Sequence, residues 1–441
     1  MRLLMLAQFF PPDIGGEERH VLNLATTLAR RGHEVAVATQ QLDGVPAYEV
    51  LDAGVRVHRF PTMAMSLPGV YSTGRPHHPP FPDPVGVRHL ARIVGQERPD
   101  VVHSHNWIVN SAVALRRGGP GGGAAGARPR FGLVLTLHDY SQICATKRLM
   151  FRDETICQGP SPTRCLPCAT AHYGPVVGPV TVAATAAMRP RLERAIDHVV
   201  SVSHAVARSN GMLPGPGRSV IPNFVPDDLT PPAQPDGVAA DGPAIGADGK
   251  PLDLPAEPFL LFVGDLSADK GVLTILEAYE RLSTPRPPMV FIGRPTPETP
   301  TRLPDGVLIR HSWPHPDVLT AFSRSLAAVL PSLWPDPCPT TVLEAMACRT
   351  PVVSTAIGGI LDEVVDGESG LLVPPGDAVA LAGALHRVVD DAELRDTLVA
   401  GGLARVRGFM ATSVAERLEG VYAEVVARAT GRSTANGEGP A

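Results

Sequence analysis

Short apolar runs that each stop at a glycine or polar turn, and then lead into an amphipathic helix, recur along this chain. The clearest is Phe259-Leu-Leu-Phe-Val-Gly264, which passes into Asp265-Leu-Ser-Ala-Asp-Lys270-Gly271. Apolar runs of roughly four to eight residues between turn signals read as buried strands, and strands that alternate with helical patterns require βαβ units and a parallel sheet. Residues 2–9 form the first such run. Gly15-Gly16, a helix over Arg19–Arg31 with Val21, Leu22, Leu24, Ala25 and Leu28 on its stripe, a stop at Gly32 and a strand over Glu34–Thr39 complete that unit. The turn is not G-x-G-x-x-G, which disfavours a dinucleotide oxidoreductase. Helices that begin at the carboxyl ends of parallel strands aim bare N–H groups and a positive dipole end at one crevice, an arrangement suited to a diphosphate.

At 441 residues the chain is long for one domain and comfortable for two. Further strands are expected at Val55–Phe60, Asp100–Trp107, Gly132–Tyr140 and from Asp197, with a helix at Thr185–Ala195 and irregular loops at 61–84 and Gly118–Gly126. His77 and His78 lie among prolines and read as solvated rather than metal-bound. Residues 226–256 are dense in Pro, Ala, Gly and Asp without periodicity, as in a linker. The second half reads as strand 259–264, helix 271–282, strands 288–293 and 307–310, helix 315–323, and strands 326–331 and 351–355. Helices follow at about 377–389, 391–407 and 413–428, then a polar tail from Thr430 that is expected to fray. The net charge of −5 gives no electrostatic ground for nucleic acid. No apolar run approaches the ~20 residues of a bilayer span. Met1–Phe10 lacks a small-residue cleavage site and reads as a buried strand, so a cytoplasmic protein is expected, with peripheral contact at the inner face of a membrane left open.

The second half also carries Val329-Leu-Pro-Ser-Leu-Trp-Pro-Asp336-Pro-Cys-Pro-Thr340-Thr341-Val342-Leu-Glu344-Ala-Met-Ala347, then Pro351-Val-Val-Ser-Thr355, Gly358-Gly359 and Asp366-Gly-Glu-Ser-Gly370. With the Gly264–Gly271 turn, and in this order, these resemble the C-terminal half of the retaining glycosyltransferases of family 4 (glycosyl transferases group 1). Asp100-Val-Val-His103-Ser-His105 and Val220-Ile-Pro-Asn223 resemble segments of the N-terminal half, so the likeness covers nearly the whole chain. It implies an α/β, GT-B fold, with two facing Rossmann-like domains, parallel sheets and a cleft between them. Residues 1–225 would be the acceptor-side domain with a cysteine-rich insert at 141–170, and 226–256 the linker. Residues 257–410 would be the nucleotide-sugar domain, 411–429 a crossover helix and 430–441 a flexible tail.

The implied activity moves a hexose-type sugar from a nucleotide-diphosphate sugar, UDP or GDP foremost, to a hydroxyl of a glycan, glycolipid or small molecule. By the same resemblance Glu344 binds ribose hydroxyls and Asp336 hexose hydroxyls. His138 touches the donor sugar, with Asp139 beside it to orient the ring and His105 also on the acceptor side. Gly15, Gly16, Gly264 and Asp265 approach the diphosphate. Ionised carboxylates are pure acceptors for hydroxyl donors, which fits Asp336 and Glu344. Charge grows on the departing diphosphate, and Lys270 supplies a compact cation there, together with backbone N–H groups of Thr340, Thr341 and Val342. The chain has only two other lysines, Lys147 and Lys250. Such a site requires no cofactor for catalysis. Oligomeric state is not legible.

Two positions depart from the pattern. Asp336 replaces the first glutamate of the family's E-x7-E, and Asp265 stands where an arginine is usual. An inward carboxylate would repel a diphosphate. Asp265 therefore faces away or caps the helix near Gly271, or another arginine, Arg294 or Arg349, handles the charge. Asp265 also keeps open a catalytically weakened GT-B partner subunit, alongside a nucleotide-sugar epimerase or sugar phosphorylase on the same fold. Cys144, Cys157, Cys165 and Cys168 cluster in the insert, the last two with the C-x2-C spacing of a zinc knuckle. Gly159-Pro-Ser-Pro162 favours turns over helix there. A structural zinc, a disulfide or redox role, and unliganded thiols all remain open, and a reducing compartment favours metal over disulfide. Cys338 and Cys348 read as single thiols.

Overall fold

The first sheet is laid down by β1 (Arg2–Leu6), β2 (Glu34–Gln40), β3 (Tyr48–Val50), β4 (Arg56–Phe60), β5 (Val101–His105) and β6 (Gly132–Leu137). A small hairpin follows, β7 (Met150–Phe151) and β8 (Thr155–Ile156), then β9 (His198–Ser201) and β10 (Arg218–Val220). These come from a computed structural model that describes residues 1–12, 15–66, 78–116, 131–230, 242–311 and 313–430. The expected Gly118–Gly126 loop, His77 and the tail beyond Thr430 lie outside the described residues.

The order is β10-β9-β6-β5-β1-β2-β4-β3, parallel except for the edge strand β3, which runs antiparallel to β4. Strand order reverses at β1, whose neighbours are β2 and β5. Parallel strands are covered on both faces and so read as unbroken apolar runs. Leu3, Leu4, Met5 and Leu6 of β1 and Leu133, Val134, Leu135 and Leu137 of β6 are all buried. The covering helices are α1 (Gly16–Arg30), α2 (Pro84–Glu97), α3 (Val109–Arg116), α4 (Pro162–Ala195) and α5 (His204–Asn210).

Three expectations are corrected in this unit. The loop at 61–84 ends in a helix start: Asp83 caps α2 by accepting from the N–H groups of Val85 and Gly86 (2.9 and 3.0 Å), and Pro84 occupies the first helical position. His78 is fully buried, with its ring bonded to the Pro79 carbonyl and the Ser111 hydroxyl, because residues 78–83 lie against α3. The Gly159–Pro162 turn also opens a helix, since Pro162 pre-sets φ at its first position; α4 then runs to Ala195 with a kink at Gly174, where φ is 84°.

The second sheet comprises β11 (Leu260–Val263), β12 (Met289–Gly293), β13 (Val307–His311), β14 (Ala327–Leu330), β15 (Val352–Thr355) and β16 (Leu371–Val373), all parallel, in the order β13-β12-β11-β14-β15-β16. Its helices are α6 (Val272–Glu280), α7 (His315–Arg324), α8 (Thr340–Ala347), α9 (Ile360–Glu363), α10 (Ala378–Asp390) and α11 (Ala392–Val406). Strand order reverses at β11, between β12 and β14. Part of the stretch expected as a linker belongs to this unit. Ala247 donates to Asp317 of α7 (2.7 Å), Leu252 to the Ala244 carbonyl (2.7 Å) and Arg310 to the Asp253 carbonyl (3.0 Å). Its Gly, Pro and Asp residues make docked turns rather than a free spacer.

Residues 223–410 form one compact unit, and α12 (Ala411–Thr430) belongs with residues 1–222 in the other. Tyr422 of α12 hydrogen-bonds His103 of β5 (2.7 Å), and Glu419 pairs with Arg31 (2.8 Å). Gly132 allows this approach, because a Cβ there would meet Val425 at 2.1 Å. Among the described residues no helix is long and apolar enough to cross a membrane.

Asp83 also accepts from the Met63 N–H (2.7 Å) and is fully buried. Replacing it with alanine strands three backbone donors, so Asp83→Ala is expected to lower unfolding stability by about 2–3 kcal/mol. Denaturant titration measures this, and a loss below about 0.5 kcal/mol would show the cap to be dispensable.

Candidate active site

In the second unit the carboxyl ends of β11 and β14 flank the reversal of strand order. β11 delivers Gly264 and Asp265, and a single 3-10 turn at Ala268–Lys270 then places Lys270. Gly271 must be glycine: its φ is 82°, and a Cβ would lie 2.0 Å from the Pro331 carbonyl at the end of β14. That close approach sets Lys270 against the β14 loop, where its ammonium meets Asp336 Oδ2 at 2.5 Å. The Lys270 ammonium also stands 5.2 Å from the Trp334 ring centroid. The loop carrying Asp336 rests on the Gly358-Gly359 turn after β15. Gly359 N–H donates to the Asp336 carbonyl (2.7 Å), and a Cβ on Gly359 would come 1.9 Å from the Pro337 carbonyl.

A cavity of about 60 Å³ opens here, lined by Gly264, Lys270, Asp336, Thr341 and Val342 among others. Of the other donor-side candidates, Thr340 begins α8 and Glu344 lies one turn further along it. Val342 N–H is bonded to the Pro339 carbonyl (3.1 Å), so the N–H groups of Thr340 and Thr341 are those at the open end of α8. Glu344 is 4% exposed and bonded to His315 Nε2 of α7 at 3.0 Å, a partner the sequence reading missed. Asp265 does not cap a helix. Its carboxylate is gripped by both arms of Arg294, at 2.8 and 3.1 Å, on the surface of the unit. Arg349, the other candidate cation, follows the C-terminus of α8, the end opposite the cavity.

In the first unit the carboxyl edge holds His105, His138 and the start of α1. His105 Nδ1 hydrogen-bonds His138 Nε2 at 2.9 Å, and His20 of α1 packs edge-on against His138 with ring centroids 4.7 Å apart. His103, one pleat below, bonds Tyr422 and Thr136, each at 2.7 Å, and is a core group. Asp139 does not orient His138; its carboxylate accepts from the Ser141 N–H (2.8 Å) in a turn of its own. Gly15 caps α1, and its N–H is taken by Glu18 (2.8 Å), while a Cβ on Gly16 would have open space. The sequence reading missed Glu17, His20 and Asn106. Glu17 and His20 stand three apart on one face of α1, a spacing that was available as a signal. Asn106, in the left-handed region at φ 54°, donates to Glu17 (2.6 Å) and accepts from His138 N–H (3.3 Å), tying the three segments together.

Burial dominates the electrostatics of this edge. It holds His103 down to about 3 and His20 and His105 well below the ordinary histidine value, with neighbouring imidazoles adding to the effect. It pushes Glu17 up to about 8, helped by Glu18 and Asp139, so that Glu17 is protonated at neutral pH. Glu17, His20, His103 and His105 are therefore neutral hydrogen-bonding groups. The nitrogens of His20, His105 and His138 lie within 4.8 Å of one another, but the His105–His138 bond already occupies one nitrogen of each.

Comparison with known proteins decides the family. Residues 249–404 match the model "Glycosyl transferases group 1" and residues 14–229 match "Glycosyltransferase Family 4". The chain is a family 4 glycosyltransferase. Glycogen synthase of Mycobacterium tuberculosis is 29% identical over 424 residues, spanning 89% of this chain and 86% of that protein. Sucrose-phosphate synthase from Thermosynechococcus elongatus superposes with a TM-score of 0.70 at 22% identity, over 97% of this chain and 99% of that one. Anabaena HepE in complex with UDP superposes with a TM-score of 0.64 at 17% identity, over 96% and 100%. These neighbours share the GT-B fold, and the glycosyltransferase is a nucleotide-sugar enzyme of group 1.

Two outcomes are expected. Histidines lowered on folding contribute stability that is complete above pH 6.5 and is lost as pH falls from there toward about 3, each by up to about 1.4 kcal/mol per pH unit. Glu17, raised on folding, contributes stability that is complete below 4.5 and is lost as pH rises through about 8. Between pH 6.5 and about 8 the Glu17 contribution changes without the histidine one, so the unfolding temperature should fall across that window, and Glu17→Gln should remove the fall; an undiminished fall in the variant would refute the assignment. Gly359→Ala should leave the circular dichroism intact and weaken nucleotide-sugar binding by about tenfold or more, measured by calorimetry. Wild-type affinity in that variant would mean that the Asp336 loop does not depend on the glycine.

Proposed function

We propose that this glycosyltransferase transfers a hexose-type sugar from a UDP- or GDP-sugar to an acceptor hydroxyl of a glycan, glycolipid or small molecule, with retention at the anomeric carbon. The observation that carries the reading is the Lys270–Asp336 pair at 2.5 Å on the rim of a cavity that also receives the first turn of α8. A bound diphosphate would compete with Asp336 for the Lys270 ammonium, and the N–H groups of Thr340 and Thr341 would add donors for the same anion. Asp336, partly released from Lys270, and Glu344, held by His315, would then accept from sugar and ribose hydroxyls.

Asp265 does not argue against this, because Arg294 neutralises it. The neutral imidazole of His105, hydrogen-bonded to His138, suits an uncharged hydroxyl acceptor better than a charged one. In a retaining transfer the acceptor hydroxyl attacks on the face the diphosphate leaves from. A departing phosphate oxygen takes the proton, and Lys270 stabilises the charge that develops. UDP is the nucleotide bound to HepE, which places UDP-sugars first in a donor screen.

Thermal-shift and calorimetric titrations across UDP-, GDP-, ADP- and dTDP-sugars test the reading. One uridine or guanosine nucleotide is expected to stabilise the wild type, and Lys270→Ala and Glu344→Ala are each expected to weaken it by about a hundredfold, or about 2.7 kcal/mol. Proton NMR of the transferred product should show the donor's anomeric configuration. Absence of binding at millimolar concentration, or an inverted product, would overturn it.

A further inference from the structure

We propose that the insert between His138 and α4 is a structural zinc site with Cys144, Cys157, Cys165 and Cys168 as its four ligands. These cysteines are scattered over 25 positions of sequence, yet all four line one cavity of about 20 Å³, the scale of a single ion. Three separate pieces of chain bring them there. Cys144 comes from the tight turn after β6, where its N–H is bonded to the Tyr140 carbonyl (2.9 Å). Cys157 follows the β7–β8 hairpin and is fixed by its N–H to the Leu149 carbonyl (2.8 Å). Cys165 and Cys168 lie on the opening turns of α4, which presents a C-x2-C pair along one face.

Backbone donors already point at two of the sulfurs. Ser161 N–H reaches Cys165 Sγ and Arg152 N–H reaches Cys168 Sγ, both at 3.3 Å. Such N–H···S contacts stabilise a thiolate and are the outer support that metal-bound cysteines use. None of the four is in a disulfide. The sulfurs do not close onto one point: among the described residues, the group whose ligating atoms all fall within 4.8 Å of one another is the histidine trio, not the cysteines. A zinc ion held at about 2.3 Å by each sulfur draws the side chains inward. Each thiol gives up one proton on becoming a ligand, so Zn²⁺ and four thiolates carry a net charge of two minus, and Arg164 on the cavity wall offsets half of it.

The insert has reason to need such a clip. Its hairpin has two residues per strand, too few to be stable alone. The same stretch holds Lys147, whose ammonium sits 4.2 Å from the Trp107 ring centroid, and Trp107 in turn donates to the Ser141 carbonyl (3.0 Å). The metal would therefore fix the loop that follows His138 and Asp139, making it a positioning element for that edge.

The test is elemental analysis of the full-length protein purified with reductant and without chelator, followed by exchange with Co²⁺. About one zinc per chain is expected, with a sulfur-to-cobalt charge-transfer band after exchange and a fall in unfolding temperature on chelation. Cys165→Ser/Cys168→Ser should lose the metal and the band, while Cys338→Ser keeps both. If the double variant does not fold, the zinc content and cobalt spectrum of the wild type decide alone. Zinc-free reduced protein without a cobalt–thiolate band overturns the proposal, whether thiol titration then finds four reactive cysteines or peptide mapping finds disulfides.

Discussion

A parallel strand can be reached from its neighbour only by a crossover, and in both units that crossover is a helix or a long loop that begins at the strand's carboxyl end. The chain therefore has one edge per sheet at which every turn opens toward solvent, and the reversal of strand order at β1 and at β11 leaves a gap between diverging helices there. In the second unit the gap is kept narrow by backbone meeting backbone. A Cβ on Gly271 would strike the Pro331 carbonyl, one on Gly359 the Pro337 carbonyl, and one on Gly293 would come 1.7 Å from the Gly264 carbonyl. Side chains can converge on so small a volume because the loops carrying them have none of their own at these contacts.

The two edges solve the burial of polar groups in opposite ways. In the second unit three carboxylates each have a cation or imidazole at hydrogen-bond distance: Asp336 has Lys270, Glu344 has His315 and Asp265 has Arg294. An unpaired carboxylate at the 4–7% exposure of Glu344 and Asp336 would be costly. In the first unit the groups are neutral instead: Glu17 keeps its proton and the histidines do without theirs, all driven first by burial. One edge is built from charged pairs and the other from neutral groups.

The alternation of strands and helices was legible because parallel strands announce themselves as unbroken apolar runs, and the acidic motif was legible because Asp336 and Glu344 stand at fixed spacing around the start of α8. What escaped the sequence depended on pairings between distant segments. His315 lies 29 positions from Glu344, and Arg294 lies 29 from Asp265, so neither bond follows from local pattern. α2 was lost for a different reason: Asp83-Pro84 closes a proline-rich stretch, and its cap was read as more loop although Val87, Leu90, Ile93 and Val94 carry a helical stripe. His78 was misjudged on the same logic, since proline-rich sequence says nothing of whether the loop folds back onto the body.

Asp265 shows how a departure from a family pattern should be weighed. Taken alone, a carboxylate for an arginine at the mouth of an anion site reverses a charge and looks disabling. Paired bidentately with Arg294 from the end of β12, it becomes half of a neutral unit whose geometry fixes both side chains. Both partners are substantially exposed, at 42% for Asp265 and 66% for Arg294, so water screens the pair and its contribution to stability is small. Its consequence lies in placement: the guanidinium is held within bonding distance of the β11 turn, although the chain supplies it from the neighbouring strand. The pair carries no net charge, so Asp265 brings no unbalanced negative charge to the turn, and Lys270 is the cation that lines the cavity.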